Sequence, residues 1–198
     1  MNRFKKFIQS LKSRGFIGTF RWVTFGYFRT NKFIVFYLNL EKDFNYQFPE
    51  ESITFAKLSL DELQQLRESH DNLPVEFFCD RTEGFKTPFV AFVDGKLAAI
   101  HWLVGPQEPS RFLNMQEQDV ELNFNTVIPE FRGHKLAEPL MAFLLHTSKQ
   151  EGKKRAFGVA HVDNIAMYKQ VIRVGFEPVE IINHFGHKRP KATLKYVK

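Results

Sequence analysis

Residues 120–137, VELNFNTVIPEFRGHKLA, decide the fold of this chain. The first eight alternate between a mostly apolar and a mostly polar set, and this two-residue period predicts a strand with one apolar and one polar face. Pro129 ends strand pairing because it has no N–H to donate. Gly133 follows where the backbone turns, and leucines recur at helical spacing from Leu136. Such a strand, turn and helix N-terminus leave backbone N–H groups without acceptors, so the sequence predicts an anion site here.

The same segment resembles the acyl-CoA signature of the GNAT superfamily of N-acyltransferases, over Val127-x-Pro129-Glu130-x-Arg132-Gly133-x-x-Leu136-Ala137. In that family the amides of the turn hold the CoA pyrophosphate, and the splayed end of the strand pairs with the pantetheine arm. Lys135 stands where the family has a glycine; it still offers an N–H and adds an ammonium, but it lacks the room that glycine gives for close backbone approach. The resemblance implies that acetyl-CoA, or another acyl-CoA, contacts Thr126, Val127, Ile128, Arg132, Gly133, His134, Lys135, Leu136 and Ala137.

A second motif strengthens the resemblance. Asn164 is followed eleven residues later by Gly175-Phe176, the spacing of the later helix of the family, and a predicted strand over 155–162 precedes it. The resemblance implies an α/β (α+β) fold with a mixed, mostly antiparallel central sheet flanked by helices. It also implies that Asn164 contacts the pantetheine arm, a role compatible with capping the helix.

Composition limits the class of protein. The chain has 198 residues, which suits one domain over 46–198 with a helical extension and lead-in strand over 1–45. Cys79 is the single cysteine and no H-E-x-x-H spacing occurs, so no metal site is predicted. No apolar run approaches the length of a transmembrane helix. We expect a cytoplasmic protein, with the inner face of the membrane as an alternative place.

The positive charge is concentrated at the N-terminus. The net charge is +6, and residues 1–43 contain nine Lys or Arg against two acidic residues. A nucleic-acid-binding domain should carry its positive charge across its folded face, so no nucleic-acid partner is predicted. Apolar residues at helical spacing predict a basic amphipathic helix over 4–11 and a second helix over 16–27. Three roles remain open for residues 1–30: packing onto the domain, contact with an anionic membrane surface, and binding an acidic partner protein.

Local signals predict the other elements. Ser59 and Glu62 form a capping-box pattern, which predicts a helix start. Asp94-Gly95 between two apolar runs predicts a hairpin. Pro139 predicts a late helix start or a loosened first turn, because a proline inside the helix would remove a needed N–H. The predicted elements are strands over 33–40 and 53–58, a helix over 60–69, a hairpin over 89–104, a helix over 135–151 and one or two strands over 177–197. Loops over 71–88 and 105–115 are candidate walls of an acceptor pocket.

Acyl transfer from a thioester to an amine needs a base for the amine, because a basic amine is almost fully protonated at neutral pH. Glu121 is the predicted base: members of the family that use a glutamate carry it at this spacing, and Asn123 and Asn125 are predicted on the same strand face. The two asparagines would hold a water relay or the hydroxyls of the acceptor. The alternative is that Glu121 is a solvated residue or the partner in a salt bridge.

The leaving thiolate and the acceptor have candidate partners too. Many family members protonate the thiolate with a tyrosine seven residues after the motif asparagine, where this chain has Val171. Tyr168 lies one turn earlier and is the predicted acid, with simple packing as the alternative. His101 and Trp102 are predicted to face the acceptor, where an aromatic ring stacks on a sugar; the alternative for Trp102 is the core.

These features predict transfer of an acetyl or other short acyl group from acyl-CoA to a primary amine of a small molecule, such as an amino sugar or a cell-envelope precursor. Two other classes remain open. One is a non-catalytic acyl-CoA sensor, favoured by Lys135 and Val171. The other is an acyltransferase that uses acyl carrier protein as donor, with the basic extension as the docking surface. The sequence predicts no oligomeric state.

Overall fold

The computed structural model describes residues 16–17, 20, 30–44, 52–110 and 112–185. The seven strands are β1 (Thr30–Asn39), β2 (Ile53–Lys57), β3 (Thr87–Val93), β4 (Lys96–Val104), β5 (Asp119–Val127), β6 (Arg155–His161) and β7 (Glu177–Phe185). The helices are α1 (Leu60–Glu68), α2 (Cys79–Thr82), α3 (Ala137–Gln150) and α4 (Ile165–Val174), with 3₁₀ turns at Val75–Phe78 and Pro129–Phe131. The predicted helix over 4–11 and the segment 186–198 lie outside the described residues.

The strands form one seven-stranded sheet in the order β2-β3-β4-β5-β6-β1-β7. Every neighbouring pair is antiparallel except β5 and β6, which are parallel. This arrangement confirms the predicted mixed, mostly antiparallel sheet. The lead-in strand of the predicted extension, β1, lies inside the sheet between β6 and β7. The helical part of that extension stays a prediction, although Phe16 and Ile17 are helical and about three-quarters exposed.

The local signals set the element ends. The Ser59 hydroxyl accepts the Glu62 N–H at 3.2 Å while the Glu62 carboxylate accepts the Ser59 N–H at 2.7 Å, which confirms the capping box. Asp94 and Gly95 both have positive φ, 48° and 74°, as a tight hairpin turn requires. α3 begins at Ala137, so Pro139 falls in the first turn, where its missing N–H would have had no helical acceptor.

Segment 71–88 is more regular than the predicted loop. It contains the 3₁₀ turn and α2, and β3 already begins at Thr87. Phe77 and Cys79 are buried there in one apolar cluster with Leu63 of α1. Burial of these two side chains stabilises two short helical turns. Each has four residues, which is too short to show a helical period in the sequence.

Helices pack on both faces of the sheet. On one face, α3 and α4 cover a core that includes Leu122, Leu140, Leu144 and Val171. On the other face, α1 and the segment after it cover a second cluster with Ile100, Trp102 and Val104. A third cluster contains Val35, Phe112, Leu113, Phe157 and Ile182. No helix among the described residues is long and apolar enough to cross a membrane.

Candidate active site

The sheet stops being continuous between β5 and β6. The two strands pair at four positions, from Asp119 with Arg155 to Leu122 with Gly158. β5 then continues to Val127 and β6 to His161, but the two strands no longer pair. The facing backbone groups of the two strand ends therefore have no partner from each other. This gap is suited to an extended ligand with amide groups of its own.

A bulge in β5 lies beside the gap. Trp102 pairs with Asn123 and Ile100 pairs with Thr126, so three steps along β5 match two steps along β4. Phe124 within the bulge has a φ of 49°, a conformation that costs strain for a large side chain. Phe124 is 41% exposed, and the centroid of its ring lies 5.9 Å from that of the Phe85 ring.

The bulge separates residues that the sequence predicts on one face. Glu121 lies opposite Val104 and Asn123 lies opposite Trp102, so these two share the face of the second apolar cluster. Asn125 does not share it, and that prediction is wrong. Its Nδ2 donates to the carbonyl oxygen of Ala137 at 3.1 Å, which ties the strand to the first residue of α3 on the opposite face.

Glu121 is fully buried. Its Oε2 accepts the Ser110 hydroxyl, whereas Oε1 and the Asn123 Nδ2 are buried without a hydrogen-bond partner. Burial raises the pKa of Glu121, and the nearby Ser110 hydroxyl and Asn123 amide only partly oppose that rise. Its burial is inconsistent with the alternative of a solvated residue, and no cation among the described residues pairs with Glu121. A carboxyl with a raised pKa and an unoccupied oxygen has the properties of a general base.

The turn between β5 and α3 has the geometry of an anion site. Gly133 and Lys135 both have positive φ, 98° and 54°, so Lys135 adopts a backbone conformation that favours glycine. α3 has no side-chain cap. Within the described part of the chain, the backbone N–H groups of residues 133, 135, 136, 137 and 138 donate no hydrogen bond to a backbone carbonyl. These N–H groups and the helix dipole favour a phosphate at this position.

The side chains around this turn also suit a phosphate site. Arg132, His134 and Lys135 are exposed, and Leu136 is buried in the core beneath them. Thr126 and Val127 are half-buried in the last two positions of β5, and the Ile128 N–H bonds to the Ala98 carbonyl at 2.8 Å. The predicted acyl-CoA residues of this segment therefore follow one another from the end of β5 through the turn to the first residue of α3, and their contact with acyl-CoA stays a prediction.

Asn164 and Tyr168 lie on the α4 side. The Asn164 Oδ1 accepts the Met167 N–H at 3.2 Å, which confirms the cap, and its exposed amide leaves the predicted pantetheine contact open. Tyr168 is 38% exposed, and its ring lies 5.6 Å from that of Phe36. Val171 is buried in the core. Packing of Tyr168 is thus observed, and its role as an acid stays a prediction.

Trp102 and His101 do not face an acceptor. Trp102 is fully buried, and its indole N–H donates to the Glu76 carbonyl at 2.8 Å, which places it in the core. His101 pairs with Phe89 on the opposite face of the sheet; it is fully buried, and its burial lowers its pKa to about 3. The exposed aromatic ring on the Glu121 face is instead Phe124, which the alternating pattern of the strand gives no reason to single out.

A separate cleft of about 490 Å³ lies at the other end of β5 and β6, between Tyr37, Gln116, Asp119 and Arg155. The Arg155 guanidinium binds both oxygens of Asp119, at 2.7 and 2.9 Å. This partly buried ion pair connects the paired ends of the two strands. The described residues contain no cluster of three or more His, Cys, Asp or Glu side chains arranged to hold a metal ion.

The comparison with protein families agrees with this geometry. The model of the acetyltransferase (GNAT) family matches residues 53–172. That match covers more than half of the chain, and the chain therefore belongs to this family. No curated protein sequence matches the chain.

Solved structures share the fold at low identity. A GCN5-related N-acetyltransferase from Sphaerobacter thermophilus has 14% identity and a TM-score of 0.57, over 91% of this chain and 59% of that one. A GNAT-family acetyltransferase from Colwellia psychrerythraea has 17% identity and a TM-score of 0.54, over 81% and 57%. A glucosamine N-acetyltransferase region of a fungal multi-domain GH3 β-N-acetylglucosaminidase has 17% identity and a TM-score of 0.55, over 92% and 23%. The chain spans less than two-thirds of each of these structures.

The raised pKa of Glu121 predicts a stability effect that needs no substrate. Its folded-state pKa lies above the ordinary value, so the free energy of unfolding falls as pH rises from that ordinary value through the folded pKa. We expect Glu121→Gln to raise the melting temperature by several degrees at pH 8 and by much less at pH 5, measured by calorimetry. Glu117→Gln, an exposed control, should leave the melting temperature unchanged at both pH values. Equal shifts at both pH values would contradict the burial of a charge-bearing carboxyl.

Proposed function

We propose that the protein transfers an acetyl or other short acyl group from acyl-CoA to a primary amine of a small molecule. The observation that carries this proposal is the gap between β5 and β6, which ends at the uncapped turn before α3. A pantetheine arm bonds to strand edges, and a diphosphate is bound by backbone N–H groups. The gap and the turn follow each other in the same order as the pantetheine arm and the diphosphate follow each other in acyl-CoA.

The residues of the chain supply the chemistry as follows. Residues 133–138 bind the diphosphate through their N–H groups, with Arg132 and Lys135 adding charge. Strand β5 holds the arm so that the thioester lies near the bulge. Glu121 accepts the amine proton through a water held between its Oε1 and the Asn123 amide, because both atoms are buried and unpartnered. Tyr168 is the candidate proton donor to the leaving sulfur.

The acceptor is proposed to be a hydroxylated amine such as an amino sugar or a cell-envelope precursor. Support comes from the Asn123 amide beside Glu121 and from the fungal glucosamine N-acetyltransferase region that shares the fold. Phe124 supplies an exposed ring on that face, and an aromatic ring packs well against the apolar face of a sugar.

The first test measures turnover with acetyl-CoA and a panel of amines: glucosamine, spermidine and phenethylamine. Release of free CoA thiol with one of them is expected, and Glu121→Gln should lower kcat at pH 7 by about 10²–10⁴-fold. The affinity of the Glu121→Gln variant for acetyl-CoA, measured by calorimetry, should equal that of the unchanged protein. Turnover that Glu121→Gln leaves intact removes Glu121 from the mechanism.

The same experiment separates the other two classes. A sensor would bind acetyl-CoA without releasing thiol in the presence of any amine. An enzyme that uses a carrier protein as donor would release the carrier thiol from acetyl-carrier protein faster than it releases CoA from acetyl-CoA.

A second prediction concerns the phosphate site. Arg132→Gln should weaken acetyl-CoA binding about three- to tenfold, the effect of one exposed charge on a phosphate, and should leave binding of S-acetyl-pantetheine unchanged because that molecule lacks the diphosphate. Lys169→Gln, an exposed control on α4, should affect neither ligand. Equal weakening of both ligands would show that Arg132 does not act on the phosphates.

A third prediction concerns residues 1–30, for which we propose contact with an anionic membrane surface. β1 begins at Thr30 and lies inside the sheet, so a deletion of 1–43 would remove a strand. Charge reversal at Arg3, Lys5, Lys6, Lys12 and Arg14 avoids this problem. The full chain should co-sediment with phosphatidylglycerol vesicles at low salt and the reversed variant should not; equal sedimentation would discard the membrane proposal.

A further inference from the structure

Ser110 is in contact with Glu121 from a loop that is itself firmly held. The loop between β4 and β5 is fixed by Glu108, whose two carboxylate oxygens accept the N–H groups of Lys86 and Gly105, each at 2.7 Å. The Ser110 N–H then donates to the Glu108 carbonyl at 2.8 Å. Ser110 therefore has a fixed backbone position relative to β3 and β4.

The hydrogen bonds around Ser110 fix the direction of its hydroxyl proton. Its oxygen accepts the N–H groups of Leu113 at 2.9 Å and Phe112 at 3.3 Å. Both of those residues are buried in the third apolar cluster, so their N–H groups are held in place. A hydroxyl has two acceptor sites and one donor. With both acceptor sites used, its proton is directed to the Oε2 of Glu121, and no lone pair is left for nucleophilic attack.

This contact leaves the two oxygens of Glu121 unequal. Oε2 is bound to Ser110, and Oε1 is buried beside the Asn123 amide with no partner. The residues beside Glu121 on the neighbouring strands are Val104 and Phe157, both apolar. Among the described residues, Ser110 is therefore the group with a close hydrogen bond to this carboxylate, and the Asn123 amide is the other polar group beside it.

We propose that Ser110 is the positioning residue of Glu121: it holds Oε2 through its hydroxyl proton and so directs Oε1 to the amine. This inference rests on the proposed role of Glu121 as the base. It assigns a function to a residue of the loop between β4 and β5 that is not among the predicted acyl-CoA residues.

The hydroxyl also has an electrostatic effect on Glu121. A hydrogen bond donated to a carboxylate stabilises its charged form, and the Ser110 hydroxyl lowers the pKa of Glu121 against the stronger effect of burial. Loss of the hydroxyl should therefore raise this pKa further. The acidic limb of the rate profile should move to higher pH, because less of the base is deprotonated at each pH.

The test titrates Glu121 directly, in protein with ¹³C-labelled glutamate carboxyls, without substrate. The Glu121 signal is identified by its loss in Glu121→Gln. Ser110→Ala should raise the pKa by about one unit, Ser110→Cys, with a weaker donor, by less, and Ser110→Thr, which keeps the hydroxyl, by almost nothing. Ser69→Ala, which removes a hydroxyl on the surface, is the control. An unchanged pKa in both Ser110→Ala and Ser110→Cys overturns the proposal.

Failure of the inference is distinguishable from failure of the proposed function. If the pKa does not move and Glu121→Gln still abolishes turnover, Ser110 has no positioning role and the base assignment stands. If the pKa moves and Glu121→Gln keeps full turnover, the contact is real but the base assignment fails, and the positioning role fails with it. Support requires both the pKa rise and a matching shift of the acidic limb, restored by Ser110→Thr.

Discussion

Incomplete pairing of β5 with β6 is the constraint on which the rest of the site depends. These two strands are the parallel pair of the described sheet, joined through α3 as a crossover connection requires. Their far ends are connected by the ion pair between Arg155 and the buried Asp119. Residues 128–136 connect the end of β5 to the start of α3, so the gap lies at one end of this connection and the N–H groups of residues 133–138 lie at the other. The connection from β5 to α3 therefore places an anion site next to the gap that would hold an extended arm.

Much of this was predictable because its causes are local. Proline, glycine and capping residues fix the start of α1, the turn at Asp94 and the delayed start of α3 with the neighbours they have in the sequence. The parallel pair follows from a strand, a helix and a second strand in succession. Glu121 and Asn123 on the polar face of a strand inside the sheet were a signal as well, since burial of a carboxyl without an ion pair is costly unless it has a use.

The rest depends on contacts between distant parts of the chain. Strand alternation cannot reveal the bulge at Phe124, which moves Asn125 to the opposite face and leaves a phenylalanine exposed. Trp102 can lie in the core because the Glu76 carbonyl accepts a hydrogen bond from its indole N–H. β1 reads as a buried strand from its composition, but its place between β6 and β7, outside the part of the chain that matches the family, is set by pairing partners more than a hundred residues away.

The measurement that tests this account most directly is a crystal structure of the protein with acetyl-CoA. The account predicts the pantetheine arm between β5 and β6 beyond Leu122 and Gly158, bonded to the strand edges, with the diphosphate on the N–H groups of residues 133–138. It would be contradicted by acetyl-CoA bound elsewhere, or by strands that close and pair through to Val127 and His161.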